Sequence, residues 1–221
     1  MRREEVIIPV KGAELSGELQ RSSTGSCLVL FAHGSGSSRH SPRNQFVARR
    51  LREEGLSTLL FDLLTPEEEH AEAASRHLRF EIAMLAARLT QATRWALDRV
   101  STADLNIGYF GSSTGAAAAL VAAAELGETI GAIVSRGGRP DLAGEALELV
   151  TAPTLLIVGG SDTPVIPLNE GAYSRIRCEK ALRIIPGATL LFEEPGTLER
   201  VARMAAEWFA NHLQPIAKRS G

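Results

Sequence analysis

The chain has 221 residues, of which 44% are hydrophobic, and a formal net charge of -2 at pH 7. That length suits one domain with a sizeable core, read here as residues 1–221. The near balance of charge gives no bias toward nucleic acid or a membrane surface, and no apolar run approaches the roughly 20 residues that cross a bilayer. The opening "MRREEVIIPVKG" has too short an apolar stretch for a signal peptide, so the expected location is the cytoplasm. The two cysteines, Cys27 and Cys178, lie far apart; they are read as reduced thiols, with a single disulfide as the alternative. No Cys/His cluster has the spacing of a metal site.

In chain order, "VIIPV" and "AELSGELQ" predict an antiparallel pair turning at Lys11-Gly12. "CLVLFAHG" is a continuous apolar strand of the kind buried on both faces. "SPRNQFVARRLREEG" has helical spacing and stops at Gly55, and "LSTLLFD" is a second buried strand. Residues 64–77 form an acidic, alanine-rich connection. The segment "LRFEIAMLAARLTQATRWALDRV" then predicts one long helix leading into the strand "LNIGYFG". An alanine-rich helix follows, then three short apolar strands ending in glycine: "GAIVSRGG", "PTLLIVGG" and "ALRIIPG". The last helix is "LERVARMAAEWFANHL". Strands alternating with helices imply a mostly parallel sheet covered on both faces.

Active sites in such sheets gather at the carboxyl ends of the strands. Those ends read His33 to Gly36, Asp62, Gly111 to Gly115, Ser135 to Gly138, Asp162, and Gly187 onward. Within them, "GYFGSSTGAAAAL" places Gly-x-Ser-x-Gly between a strand and a helix. A serine on so sharp a turn has its hydroxyl exposed at the tip of the sheet, and a side chain in place of either flanking glycine would clash. The alternative is a plain turn.

The stretches "FAHGSGSSRHSPRN", "GYFGSSTGAAAAL" and "PTLLIVGGSDTPV" resemble the α/β-hydrolase superfamily, and the similarity extends over nearly the whole chain. The match is to the dienelactone hydrolase-like group, and "IPGATLLFEEPGTLERV" resembles that group's closing segment. The resemblance implies a three-layer α/β-hydrolase fold with a central, mostly parallel sheet. It implies hydrolysis of an ester, thioester or lactone in a small-molecule substrate, with no cofactor and no metal. Ser113 would be the nucleophile and Asp162 the triad acid, and the backbone N–H groups of Ser35 and Thr114 would form the oxyanion hole.

One position departs from the pattern. The family's histidine is expected in the loop after the last strand, in Gly-Ala-Thr-His-Leu-Phe; here the loop runs Gly187, Ala188, Thr189, Leu190, Leu191, Phe192. Leu190 therefore occupies the place of the base, and an isobutyl group can neither accept a proton nor bond to Asp162. A serine hydroxyl is a poor nucleophile until a neighbouring base takes its proton. His33 or His40 could substitute from the loop after the first buried strand. His70 or His77 could do so if the acidic connection closes as a lid; His212 is read as a surface residue.

Other readings stand beside these. Asp162 in "GGSD" could merely serve a turn. "HGSGSS" could be a phosphate loop, but it lacks the required spacing and lysine. "PEEEHAEAASRH" is either a solvated helix face or a lid. Arg136 and Arg139 in "SRGGRPD" are read as surface residues of a strand-to-helix loop, with carboxylate recognition as the alternative. Two functions follow: a serine hydrolase of impaired activity, or a catalytically silent scaffold, natural or engineered, kept for binding. Neither reading fixes the oligomeric state.

Overall fold

Apolar runs that end in glycine become the centre of the molecule. The computed structural model describes residues 3–22, 26–34, 37–75, 77–99 and 105–213. Its eight strands are β1 (Arg3–Val10), β2 (Ala13–Gln20), β3 (Cys27–Ala32), β4 (Ser57–Phe61), β5 (Asn106–Ser113), β6 (Ile130–Gly138), β7 (Thr154–Gly159) and β8 (Lys180–Ile185). They form one sheet in the order β1-β2-β4-β3-β5-β6-β7-β8. The β1–β2 and β2–β4 pairs are antiparallel, and every pair from β4 to β8 is parallel.

Both faces of the sheet are covered. Alternate residues of each inner strand project to opposite sides, so β3 sends Leu28 and Leu30 into one core cluster and Val29 and Phe31 into the other. The first cluster is closed by α3 (Ile82–Arg99), α4 (Thr114–Leu126), a 3-10 segment at Pro140–Glu148 and α5 (Ile166–Arg175). The second is closed by α1 (Pro42–Glu53) and α6 (Thr197–His212). This is the three-layer, mostly parallel arrangement the alternation of elements predicts.

The long helix expected from Leu78 is shorter than its apolar spacing suggests. Leu78–Phe80 is a 3-10 turn, and Glu81 (φ -75°, ψ 62°) leaves helical geometry before α3 begins. The acidic connection is itself a helix, α2 (Pro66–Ser75). Thr65 and Glu68 start it by exchanging bonds: the Thr65 N–H donates to Glu68 Oε2 at 2.9 Å, and the Glu68 N–H donates to Thr65 Oγ1 at 3.3 Å. That reciprocal cap satisfies donors a helix start otherwise leaves open. Cys27 and Cys178 are both free thiols.

Candidate active site

β5 runs straight into α4 at Ser113, with no loop between them. Ser113 takes φ 51° and ψ -129°, a conformation that side chains larger than hydrogen rarely adopt. The turn is possible because of what flanks it. A Cβ at Gly115 would stand 2.1 Å from the Ala32 carbonyl oxygen, and one at Gly111 would stand 2.5 Å from the Ala116 Cα. Both glycines let the start of α4 press onto β3 and β5. The Ser113 carbonyl accepts the Arg139 N–H at 3.0 Å, which ties the elbow to the end of β6.

The chain leaving β3 closes on the serine from the other side. A Cβ at Gly34 would meet the Ser113 Cβ at 2.8 Å and its Oγ at 3.1 Å. Gly34 thus presses against the Ser113 turn. Thr114 is the first residue of α4, so its N–H is one of the four that a helix start leaves without an intrahelical acceptor. Ser35, the other predicted donor, lies outside the described residues.

Ser113 opens onto two cavities. One, of about 180 Å³, is lined by Gly34, Ser37, Arg43, Ser112, Arg136 and the Leu190-Leu191 pair. The other, of about 240 Å³, is bounded by Arg79, Phe80, Thr114, Arg139, Val165 and Leu190. Leu190 is a wall of both and is 42% exposed. The loop after β7 is bonded to the loop after β8. Asp162 follows β7, the neighbouring Ser161 N–H donates to the Ala188 carbonyl at 2.9 Å, and the Gly160 N–H donates to the Ile185 carbonyl at 2.8 Å. Asp162 Oδ2 is buried and has no hydrogen-bond partner, and burial pushes its carboxyl above the usual carboxylate range.

All five histidines of the chain are described, and none lines either cavity. His33 is buried; its Nδ1 lies 3.0 Å from the Gly34 carbonyl and its Nε2 3.4 Å from Asp62 Oδ1. Burial alone would raise the Asp62 carboxyl, but His33 and Arg39 together hold it below the usual range. His33 Nδ1 is thus engaged by the Gly34 carbonyl, while Nε2 is buried beside Asp62 without a hydrogen bond of its own. His40 and His70 are exposed, His77 pairs with Glu81 at 2.9 Å, and His212 sits between Trp208 and Glu179 on α6.

The reading of Arg136 as a surface residue is corrected. β6 continues through Gly138 because it pairs with the elbow, Ser112 opposite Arg136 and Ser113 opposite Gly138, so Arg136 is only 6% exposed. Burial pushes its pKa down to about 10, with the nearby Arg43 adding to the effect, so it remains a cation at neutral pH. Arg139 is half-buried and pairs with Asp141 through bonds of 2.8 and 2.7 Å. The acidic connection itself lines neither cavity; the 3-10 turn that follows it does, through Arg79 and Phe80. Sequence reasoning did not single out Arg43 or Phe80. Arg43 follows Pro42 in the first turn of α1, where it can reach back over the strand ends.

A crystal structure of dienelactone hydrolase from Anabaena variabilis matches with a TM-score of 0.93 and 55% identity, over 96% of this chain and 99% of that one. The chain belongs to the dienelactone hydrolase family. Est1E from Butyrivibrio proteoclasticus shares the α/β-hydrolase fold of this family member at a TM-score of 0.74 and 16% identity, over 94% of this chain and 98% of its own. Two Mycobacterium tuberculosis proteins, provisionally named phosphoribosyl transferases, are 53% identical over 213 residues, which is 96% of this chain and 47% of theirs. This dienelactone hydrolase family chain thus spans about half the length of the curated relatives it matches. No protein-family model matches it. Among the described residues no helix is long and apolar enough to cross a membrane, and no group of His, Cys, Asp and Glu could hold a metal ion.

Proposed function

We propose that this chain is a serine hydrolase of the dienelactone hydrolase type that acts on ester, thioester or lactone bonds of a small molecule, at a rate limited by the loss of its base. Ser113 attacks the acyl carbon, and the N–H groups of Thr114 and Ser35 receive the developing oxyanion. Asp162 keeps the position of the triad acid but has no imidazole to orient. The observation that carries the reading is the strained Ser113 turn facing cavities walled by Leu190. Without a base, what remains is stabilisation by the oxyanion hole and binding, about 10³–10⁴ over water.

A second reading, a silent scaffold kept for binding, is favoured by one feature: no histidine lines either Ser113 cavity. Labelling with a fluorophosphonate separates the two. The hydrolase reading expects slow modification that is lost in Ser113→Ala. Complete inertness of the folded protein would favour the silent scaffold. Labelling as fast as in an intact triad enzyme would mean that a base reaches Ser113 from elsewhere in the chain.

A further inference from the structure

One peptide unit joins the Ser113 turn to an asparagine on α5. Where β6 runs beside the turn, Ser112 pairs with Arg136 and Ser113 with Gly138, which leaves Gly137 (φ 50°) as an extra residue. Such a bulge re-aims the backbone next to it. Here it brings the Gly138–Arg139 peptide against the turn, and the Arg139 N–H donates to the Ser113 carbonyl at 3.0 Å. The other end of the same peptide, the Gly138 carbonyl, accepts Asn169 Nδ2 at 3.1 Å. Asn169 is fully buried and also donates from Nδ2 to the Val165 carbonyl at 3.0 Å. Its Oδ1 is buried and has no hydrogen-bond partner among the described residues. Turning the amide over would set that oxygen against two carbonyl oxygens, so the donor must face Gly138. A buried asparagine with its acceptor unused is sustained by what its NH2 group holds.

We infer that Asn169 is a positioning residue for the oxyanion donor at Ser113, acting through two peptide units in series. The inference rests on the hydrolase reading for the identity of that donor, the Thr114 N–H. The Ser113 carbonyl and the Thr114 N–H belong to one planar trans peptide, in which the two groups point in opposite directions. Whatever fixes the carbonyl therefore fixes the direction of the N–H. The relay runs from Asn169 Nδ2 to the Gly138 carbonyl, from the Arg139 N–H to the Ser113 carbonyl, and ends at the Thr114 N–H. Amide bonds aligned head to tail polarise one another, so the last N–H is both aimed and strengthened as a donor. Ser113 holds its unfavourable φ of 51° with a ψ of -129°, and ψ is the angle that the Arg139 bond restrains. A donor fixed in advance needs no reorientation when charge develops on the acyl oxygen. Gly138 leaves little slack in the relay, since a Cβ there would stand 2.6 Å from the Ala116 Cβ in the first turn of α4.

The test begins with the unmutated chain, whose hydrogen bonds can be read by NMR as scalar couplings across them. Couplings should appear from Asn169 Nδ2 to the Gly138 carbonyl carbon and from the Arg139 nitrogen to the Ser113 carbonyl carbon. Absence of either, with those of the β5–β6 ladder visible, overturns the inference whether or not any variant folds. Asn169→Leu keeps the volume and removes the donor. In it the Arg139 and Thr114 amide protons should move upfield as their polarisation weakens. Labelling of Ser113 by a fluorophosphonate should lose about tenfold or more in its limiting rate, short of the roughly 10²–10³ lost when an oxyanion donor is removed outright. The half-saturating concentration of the reagent should stay the same. Thr93→Val is the control for general loosening: it removes the buried 2.6 Å contact between Thr93 Oγ1 and the Tyr109 hydroxyl, and should lower the melting temperature while changing neither readout. An unmoved Thr114 amide, an unchanged limiting rate, or an equal loss in Thr93→Val overturns the inference as well. If the unmutated chain is not labelled at all, the hydrolase reading fails, and the couplings and amide shifts alone decide whether Asn169 orients Thr114.

Discussion

Leu190 rests on Gly137: a Cβ at Gly137 would stand 2.8 Å from the Leu190 carbonyl oxygen and 3.1 Å from its Cδ1. The backbone of the closing loop is therefore seated on the end of β6, while the Leu190 side chain helps wall both cavities at Ser113. On the proposed triad, position 190 is where the base would sit.

Leu190→His is accordingly expected to raise hydrolysis of an activated aryl ester by orders of magnitude. The rate should climb with pH as the imidazole loses its proton, from an ordinary pKa near ~6.5 raised somewhat by the Asp162 carboxylate. It should vanish in the Leu190→His, Ser113→Ala double variant, because the groups act as a unit. A gain below about tenfold, one step of 1.4 kcal/mol, is too small for a restored triad and would refute the mapping.

The Arg88–Glu68 pair fastens α2 to α3 and should make stability depend on pH. The bond from Arg88 holds the Glu68 carboxyl below its ordinary 4.5, against a smaller opposing effect of burial. Because the folded value is depressed, the stabilisation is fully present above the unfolded value and fades as pH falls through the folded one. Glu68→Gln should cost about 1–3 kcal/mol at pH 7 by urea unfolding, with the gap from the unmutated chain closing in acid below about pH 4. A gap that stays constant down to that acid range would contradict the pairing.

Two glycine substitutions should move stability in opposite directions. Gly115→Ala drives a methyl group into the Ala32 carbonyl, 2.1 Å away, and should cost more than about 2 kcal/mol or prevent soluble expression. Gly171 lies within α5, and the methyl group of an alanine there would meet nothing within 4 Å, so Gly171→Ala should add about 0.5–1 kcal/mol. Melting temperatures of the two variants decide the matter.

Thiol chemistry gives a further check. Burial raises the pKa of Cys27 and of Cys178, and each sulfur donates to a carbonyl, that of Leu213 at 2.7 Å and that of Ala152 at 3.0 Å. Both should react slowly with a disulfide reagent at pH 7 until the protein unfolds. The melting temperature should be the same with and without reductant.

Much of this was legible because local pattern and tertiary role agree. The strand ends, the glycines about Ser113 and the leucine at position 190 are each written in a few adjacent residues. Arg136 was not, because "SRGG" ends a predicted strand and equally opens the predicted loop, and its buried place is decided by pairing with Ser112 and Ser113. α5 escaped for a different reason: "IPLNEGAYSR" contains Pro167 and Gly171 and has only a weak apolar face. The start of α2 could have been found from Thr65 followed three residues later by Glu68, a spacing that marks a helix cap.

The seat of Gly115 beneath the Ala32 carbonyl also bears on the order of assembly. α4 can dock only against a β3 that already lies beside β5, and those strands come from parts of the chain separated by α1, β4, α2 and α3. Closing so long an intervening segment is slow compared with forming the helices within it. The turn at Ser113 is therefore expected to tighten late, after the middle of the sheet has joined. A chain arrested before that point has its serine in place in the sequence but no exposed hydroxyl at a sharp bend.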